Sequence, residues 1–217
     1  MDRQVLLRKI MDAGDEIRRL EQDVIALQSI DIVEYPENYN TLSMQAAVKS
    51  EYITRRLREL VYSTTNVAWQ ELLEGVADTL GISVKDAGGI VEITLPCLVP
   101  GKKRKHTDFI AAPLNAALGR FVRDRPPDKP FEKFTHCVIC ITHVYDKLLL
   151  GNGRRRDHDN IETKGIIDAI NSFLLTDDNS FLCSIYNTSI VSDTDCTHIS
   201  VMKEDMFCNW FLDMKNG

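Results

Sequence analysis

Residues 154–178 read RRRDHDNIETKGIIDAINSFLLTDD, and the organisation of the chain is read outward from this stretch. Arg154, Arg155 and Arg156 lead into Asp157, Asp159 and Asn160, with Lys164 and Asp168 farther along and Asp177 and Asp178 at the end. Ile166, Ile167, Ile170 and Leu174 recur at helical spacing, which predicts a helix over 160–174. Hard carboxylate oxygens beside guanidinium groups suit the holding of Mg²⁺ against a phosphate. In an extended segment, Asp157 and Asp159 would share one side and His158 would point away. Paired carboxylates repel unless a cation lies between them. A third carboxylate, from Asp177 or Asp178, joins only if the chain doubles back and the next strand pairs beside the preceding one. Two structural alternatives stand beside this. Asp159 and Glu162 fit a capping-box-like helix start, and Lys164 with Asp168 fits an i,i+4 ion pair.

Upstream, residues 134–145, FTHCVICITHVY, predict a strand rich in Val and Ile. Downstream, strands are expected near 181–191 and 196–203, then a short amphipathic helix. Before them, IVEITLPCL at 90–98 is a strand that Pro96 confines to an edge or an end. The basic loop PGKKRKHTDF follows. Pro113 then suits the first turn of a helix through about Arg123, burying Leu114, Leu118, Phe121 and Val122. The order after residue 88 is β-α-β-α-β-β. LGISVKDAGG, with Gly88 and Gly89, reads as the joint to what precedes.

The N-terminal third is helical in pattern. Leu6, Ile10, Ala13, Ile17, Leu20, Val24 and Leu27 alternate spacings of four and three, a coiled-coil seam. Pro36 interrupts it. A second helix is expected from about Leu42 to Leu80, with Ile53, Leu57, Leu60, Thr64 and Val67 on its seam and Gly81 as its stop. The two seams face each other in an antiparallel hairpin, or face another copy of the chain. The fold class is therefore α+β: a coiled-coil-like helical hairpin over 1–80 and a mixed α/β domain over 89–217.

The 217 residues carry a formal charge of −6. By segment it is −6 over 1–98, +6 over 99–160 and −6 over 161–217. A basic middle can present a positive surface whatever the global balance, and Lys102, Lys103, Arg104 and Lys105 with Arg154–Arg156 are the candidate DNA-backbone contacts. No run of apolar residues is long enough to cross a bilayer, no signal-peptide block opens the chain, and the six cysteines are scattered like reduced thiols. A cytoplasmic protein with no membrane association is expected. Cys137 and Cys140 are spaced C-x₂-C but lie mid-strand, where residues three apart face opposite ways, so zinc is not expected. P-loop, nucleophile-elbow and dinucleotide fingerprints are absent from the sequence.

The stretch from Asp157 resembles the RusA family of Holliday-junction resolvases, endodeoxyribonucleases of phages and prophages. The family pattern D-x-D-N, a lysine, D-A-[LI]-N and a D-D pair before a strand appears as Asp157–Asn160, Lys164, Asp168–Asn171 and Asp177–Asp178. The resemblance covers about 89–203. It implies a RusA-like homodimer that binds branched DNA and cuts it with Mg²⁺, or Mn²⁺ in its place. It also implies metal ligands at Asp157, Asp159 and Asp177 or Asp178, and Lys164 as the catalytic cation. Lys164 stands one residue farther from Asn160 than in the family, a rotation of about 100° on a continuous helix. The alternatives are a non-catalytic DNA-binding relative and a helical oligomerisation or adaptor protein.

Overall fold

Apolar residues at heptad spacing make α1 (Arg3–Ser29), and Pro36 opens α2 (Pro36–Thr64) with its φ already helical. Between them the Asp31 carboxylate accepts the N–H groups of Val33 and Glu34, which closes the turn. In this computed structural model residues 3–102, 108–150 and 157–216 are described. They form two units, Met1–Ala68 and Trp69–Gly217, and the architecture is α+β. Within the first unit α1 and α2 are antiparallel, as the cross-helix ion pairs Asp23–Lys49 at 2.6 Å and Asp12–Arg56 at 3.7 Å require. Ala13, Ala46 and Ile53 are buried between them. The coiled-coil seam of α1 splits into two rows. Leu6, Ala13, Leu20 and Leu27 are half-buried or buried, whereas Ile10, Ile17 and Val24 stay 48, 46 and 44 % exposed.

The helix expected from Leu42 to Leu80 is two helices. The hydroxyls of Ser63 and Thr64 donate to the carbonyl of Leu60, and both the hydroxyl and the backbone N–H of Thr65 donate to that of Val61, so side chains add to the backbone bonds of the last turn of α2. Thr65 turns extended, at φ −126° and ψ 165°, and the chain leaves the helical path. Thr64 and Val67 are therefore exposed and on no seam. The chain resumes as α3 (Trp69–Leu80), which belongs to the second unit. There it packs on α4 (Asp108–Arg123), with Arg120 bound to Asp78 and Arg123 to Glu74. These guanidinium groups hold both carboxyls below the usual carboxylate range. Gly81, at φ +78°, ends α3 as expected.

The presumed joint at 81–89 contains a strand. β1 (Ser83–Ala87) pairs antiparallel with β2 (Ile90–Leu95), linked by Gly88 and Gly89 at φ +64° and +91°. That is the two-residue hairpin turn that matches strand twist. β3 (Cys137–Asp146), α5 (Lys164–Leu174), β4 (Cys183–Ser192), β5 (Cys196–Lys203) and α6 (Phe207–Asn216) follow. The sheet order is β1-β2-β5-β3-β4, with β3 and β4 parallel and every other pair antiparallel. Strand alternation gives the sheet two apolar faces. Ile93, Ile139, Ile141, Ile199 and Val201 meet Leu114 and Leu118 of α4 and Ile166, Ile170 and Leu174 of α5. Val138, Cys140 and Met202 meet Phe207 and Trp210 of α6 on the other side. α4 begins five residues before Pro113, so the proline sits inside the helix and not at its entrance. Among the described residues no helix is long and apolar enough to cross a membrane.

Candidate functional site

The expected helix over 160–174 is replaced at its start by a 3₁₀ turn, His158–Asn160, then extended chain at Ile161. The cause is tertiary. Gly101 bridges Ile161, and the N–H of Glu162 donates to the carbonyl of Pro100 at 2.9 Å, so this segment is tied to the chain before α4. A Cβ at position 101 would lie 3.3 Å from the Asn160 carbonyl oxygen, so the approach is close enough to favour glycine. Asp157 and Asp159 therefore do not form the extended, same-side pair that their spacing suggested. Asp159 is not an N-cap either. Thr163 precedes α5, and the Glu162 carboxylate accepts the N–H of Lys164 at 3.3 Å.

Because α5 begins at Lys164, the extra residue before it is absorbed in extended chain and the 100° helical rotation does not apply. Among the described residues, Lys164 lines a cleft of about 530 Å³ together with Lys102, His158, Glu162, Asp168 and Asp178, and with Ile161, Thr163 and Ile167. Three residues singled out from the sequence thus share one depression. Lys164 and Asp168 are both on its wall and do not form an ion pair with each other. The cleft also contains His158, which the alternation argument set on the side opposite Asp157 and Asp159, and its ring lies 5.9 Å from that of His143, buried in β3.

Asp177 and Asp178 part company. The parallel pairing of β3 with β4 makes α5 a crossover, so the segment before it and the turn after it lie at opposite ends. Eleven residues of helix span about 16 Å. Phe134 pins the turn: its N–H donates to Leu174, its carbonyl accepts from Thr176, and Leu175 bridges it. Asp177 then accepts the Asn179 side-chain amide at 2.7 Å, while Asp178 reaches the cleft. Among the described residues no three His, Cys, Asp or Glu side chains stand close enough to hold a metal ion together. The expected convergence of Asp157 and Asp159 with Asp177 or Asp178 is not found on the cleft wall, where Asp178 stands without Asp157, Asp159 or Asp177.

Lys103, Arg104, Lys105 and Arg154–Arg156 lie outside the described residues. Cys137 and Cys140 do face opposite ways, one in each apolar core, and burial pushes each thiol up to about 12. Neither is a thiolate at neutral pH. Among the described residues the cleft lining carries three carboxylates, Glu162, Asp168 and Asp178, and two ammonium groups, Lys102 and Lys164. No curated protein matches the chain. A family model does, over residues 2–217, and the chain belongs to that family, a family of unknown function (DUF6100).

Proposed function

We propose that the α/β unit is a Mg²⁺-dependent endodeoxyribonuclease of branched DNA, acting as a homodimer, with the α5 cleft as its phosphodiester site. The observation that carries this reading is that Lys102, Lys164 and Asp178, from three separate segments, line one cleft. The resemblance to RusA resolvases supports it at Lys164 and Asp178. As described, the aspartates do not make a three-carboxylate cage. Mg²⁺ does not demand one, since it commonly takes one or two carboxylates and fills its octahedron with water and phosphate oxygens. Asp178 and Asp168, which both line the cleft, would supply that share in this reading. When bound, the ion would supply polarisation of a phosphate oxygen and an acidified water. The Lys164 ammonium would neutralise charge developing on the phosphate, and Lys102 would hold the backbone without reading bases. Mn²⁺ substitutes for Mg²⁺ in this reading.

A second reading is a non-catalytic DNA-binding relative of the same fold. The specific observation in its favour is that Asp157 and Asp159 lie off the cleft wall. One experiment separates the two. The full chain is incubated with a labelled four-way junction, with and without Mg²⁺, alongside Asp178→Asn and Lys164→Ala. Metal-dependent cutting that falls by about a hundredfold in either variant supports the nuclease, a size typical for loss of one charge-stabilising group. A shifted but uncut junction supports the binder. No shift at low salt removes both readings.

A further inference from the structure

We infer that the exposed face of α1 is a self-association surface, and that its occupant is α1 of a second copy running antiparallel. The row left open beside the covered seam contains Arg3, Leu7, Ile10, Gly14, Ile17 and Glu21, again at spacings of four and three. Leu7, Ile10 and Ile17 are 49, 48 and 46 % exposed, so the centre of the row is apolar and open to solvent. Val24, 44 % exposed, continues the row beyond Glu21, and the charges that flank the apolar centre, Arg3 and Glu21, select the partner. Two copies aligned parallel would place Arg3 on Arg3 and Glu21 on Glu21. Two copies aligned antiparallel about a two-fold axis place each Arg3 on Glu21, each Leu7 on Ile17 and each Ile10 on Gly14. Every layer then matches the a-to-d pairing of an antiparallel coiled coil, and the interface is isologous. Arg3 and Glu21 have no ion-pair partner among the described residues, so both are available for it.

Gly14 is the second observation. A glycine within a helix lowers its stability relative to alanine. Nothing in its own chain requires it, since a Cβ there would meet only the Arg18 guanidinium, at 3.9 Å. A second helix crossing at this layer does, because the partner's isoleucine side chain sits against a bare backbone. Like charges stacked in the parallel arrangement act as a penalty on the wrong partner orientation. The inference does not depend on the nuclease reading, because α1 lies outside the unit that carries the cleft.

The test is sedimentation equilibrium of the full chain without DNA, at concentrations up to about 100 µM, well above a micromolar dissociation constant. A dimer is expected. Ile17→Asp places a charge in the seam and should weaken it by about tenfold or more. Arg3→Glu should weaken it as well, and Arg3→Glu combined with Glu21→Arg should restore it. All of these positions are exposed, so circular dichroism should show unchanged helix content in each monomer. A monomeric wild type, a dimer indifferent to Ile17→Asp, or a double charge swap that fails to rescue would each overturn the inference. Loss of DNA cutting with the dimer intact would count only against the nuclease.

Discussion

The helical unit and the α/β unit reach burial in opposite ways. The N-terminal helices have the more regular apolar spacing, yet only Ala13, Ala46 and Ile53 are buried among their described residues. The α/β unit has less regular strands and encloses Ile93, Leu95, Ile139, Ile141 and Ile199 completely. The reason is geometric. A helix in a two-helix hairpin has one neighbour, so one flank of its stripe finds cover and the next does not. A sheet with α4 and α5 on one face and α6 on the other has cover on both. Periodicity thus states which face seeks cover, and says nothing about whether this chain provides it.

The sharpest way to break this contrast is a pair of truncations. Ile139→Ala in β3 should destabilise the α/β unit by about 2–5 kcal/mol, the range for a fully buried isoleucine that leaves a cavity. Ile17→Ala on the open row should change the stability of the monomer by less than about 0.5 kcal/mol. Denaturant unfolding of both variants at a concentration where the chain is monomeric checks this, and equal losses would erase the distinction. A smaller effect sharpens the account of the α/β unit. Gly88→Ala forces a Cβ into φ +64° and should cost about 1–2 kcal/mol. No such penalty is expected at Gly14, where alanine fits the helix.

Hydrogen exchange tests the same contrast without mutation. Amides of β3 should exchange only through global opening, while those of α1 should exchange by local fraying and be markedly faster. Protection in α1 that rises with protein concentration would place its missing cover in a second chain. The smallest expected effect is alkaline. Cys137 and Cys140 ionise near 12 in the folded chain and near 9 in an exposed thiol. Between those values the unfolded chain binds fewer protons than the folded one, so stability falls as pH rises from about 9 towards 12. Cys140→Val should flatten that decline, readable as a change in thermal midpoint across the alkaline range.

Much of the architecture was legible from side chains alone. The β-branched run at 137–146 is a strand, the Ile166/Ile170/Leu174 stripe is a helix face, and the order β-α-β-α-β-β stands as expected. What was misread was local competition. The hydroxyls at Ser63–Thr65 end a helix that apolar spacing alone would continue, and Gly88–Gly89 mark a hairpin where a linker was expected. At the cleft, the lysine and one aspartate are visible in the sequence, but the part of His158 is not. The 3₁₀ turn that carries it comes from contacts with Pro100 and Gly101, nearly sixty residues away in sequence.

Repeats of side-chain type at the spacing of their own backbone settle most of the elements, their order and the apolar faces they present, the break between α2 and α3 and the β1–β2 hairpin excepted. The tertiary structure decided which carboxylate reaches the cleft, where Lys164 stands, and which half of the α1 seam is covered. The first two depend on long-range pairings, Gly101 with Ile161, Phe134 with Leu175 and β3 parallel to β4, and the third on the packing of α1 against α2. A local pattern cannot encode where a distant segment lands, and a side chain's direction in a turn follows from that landing.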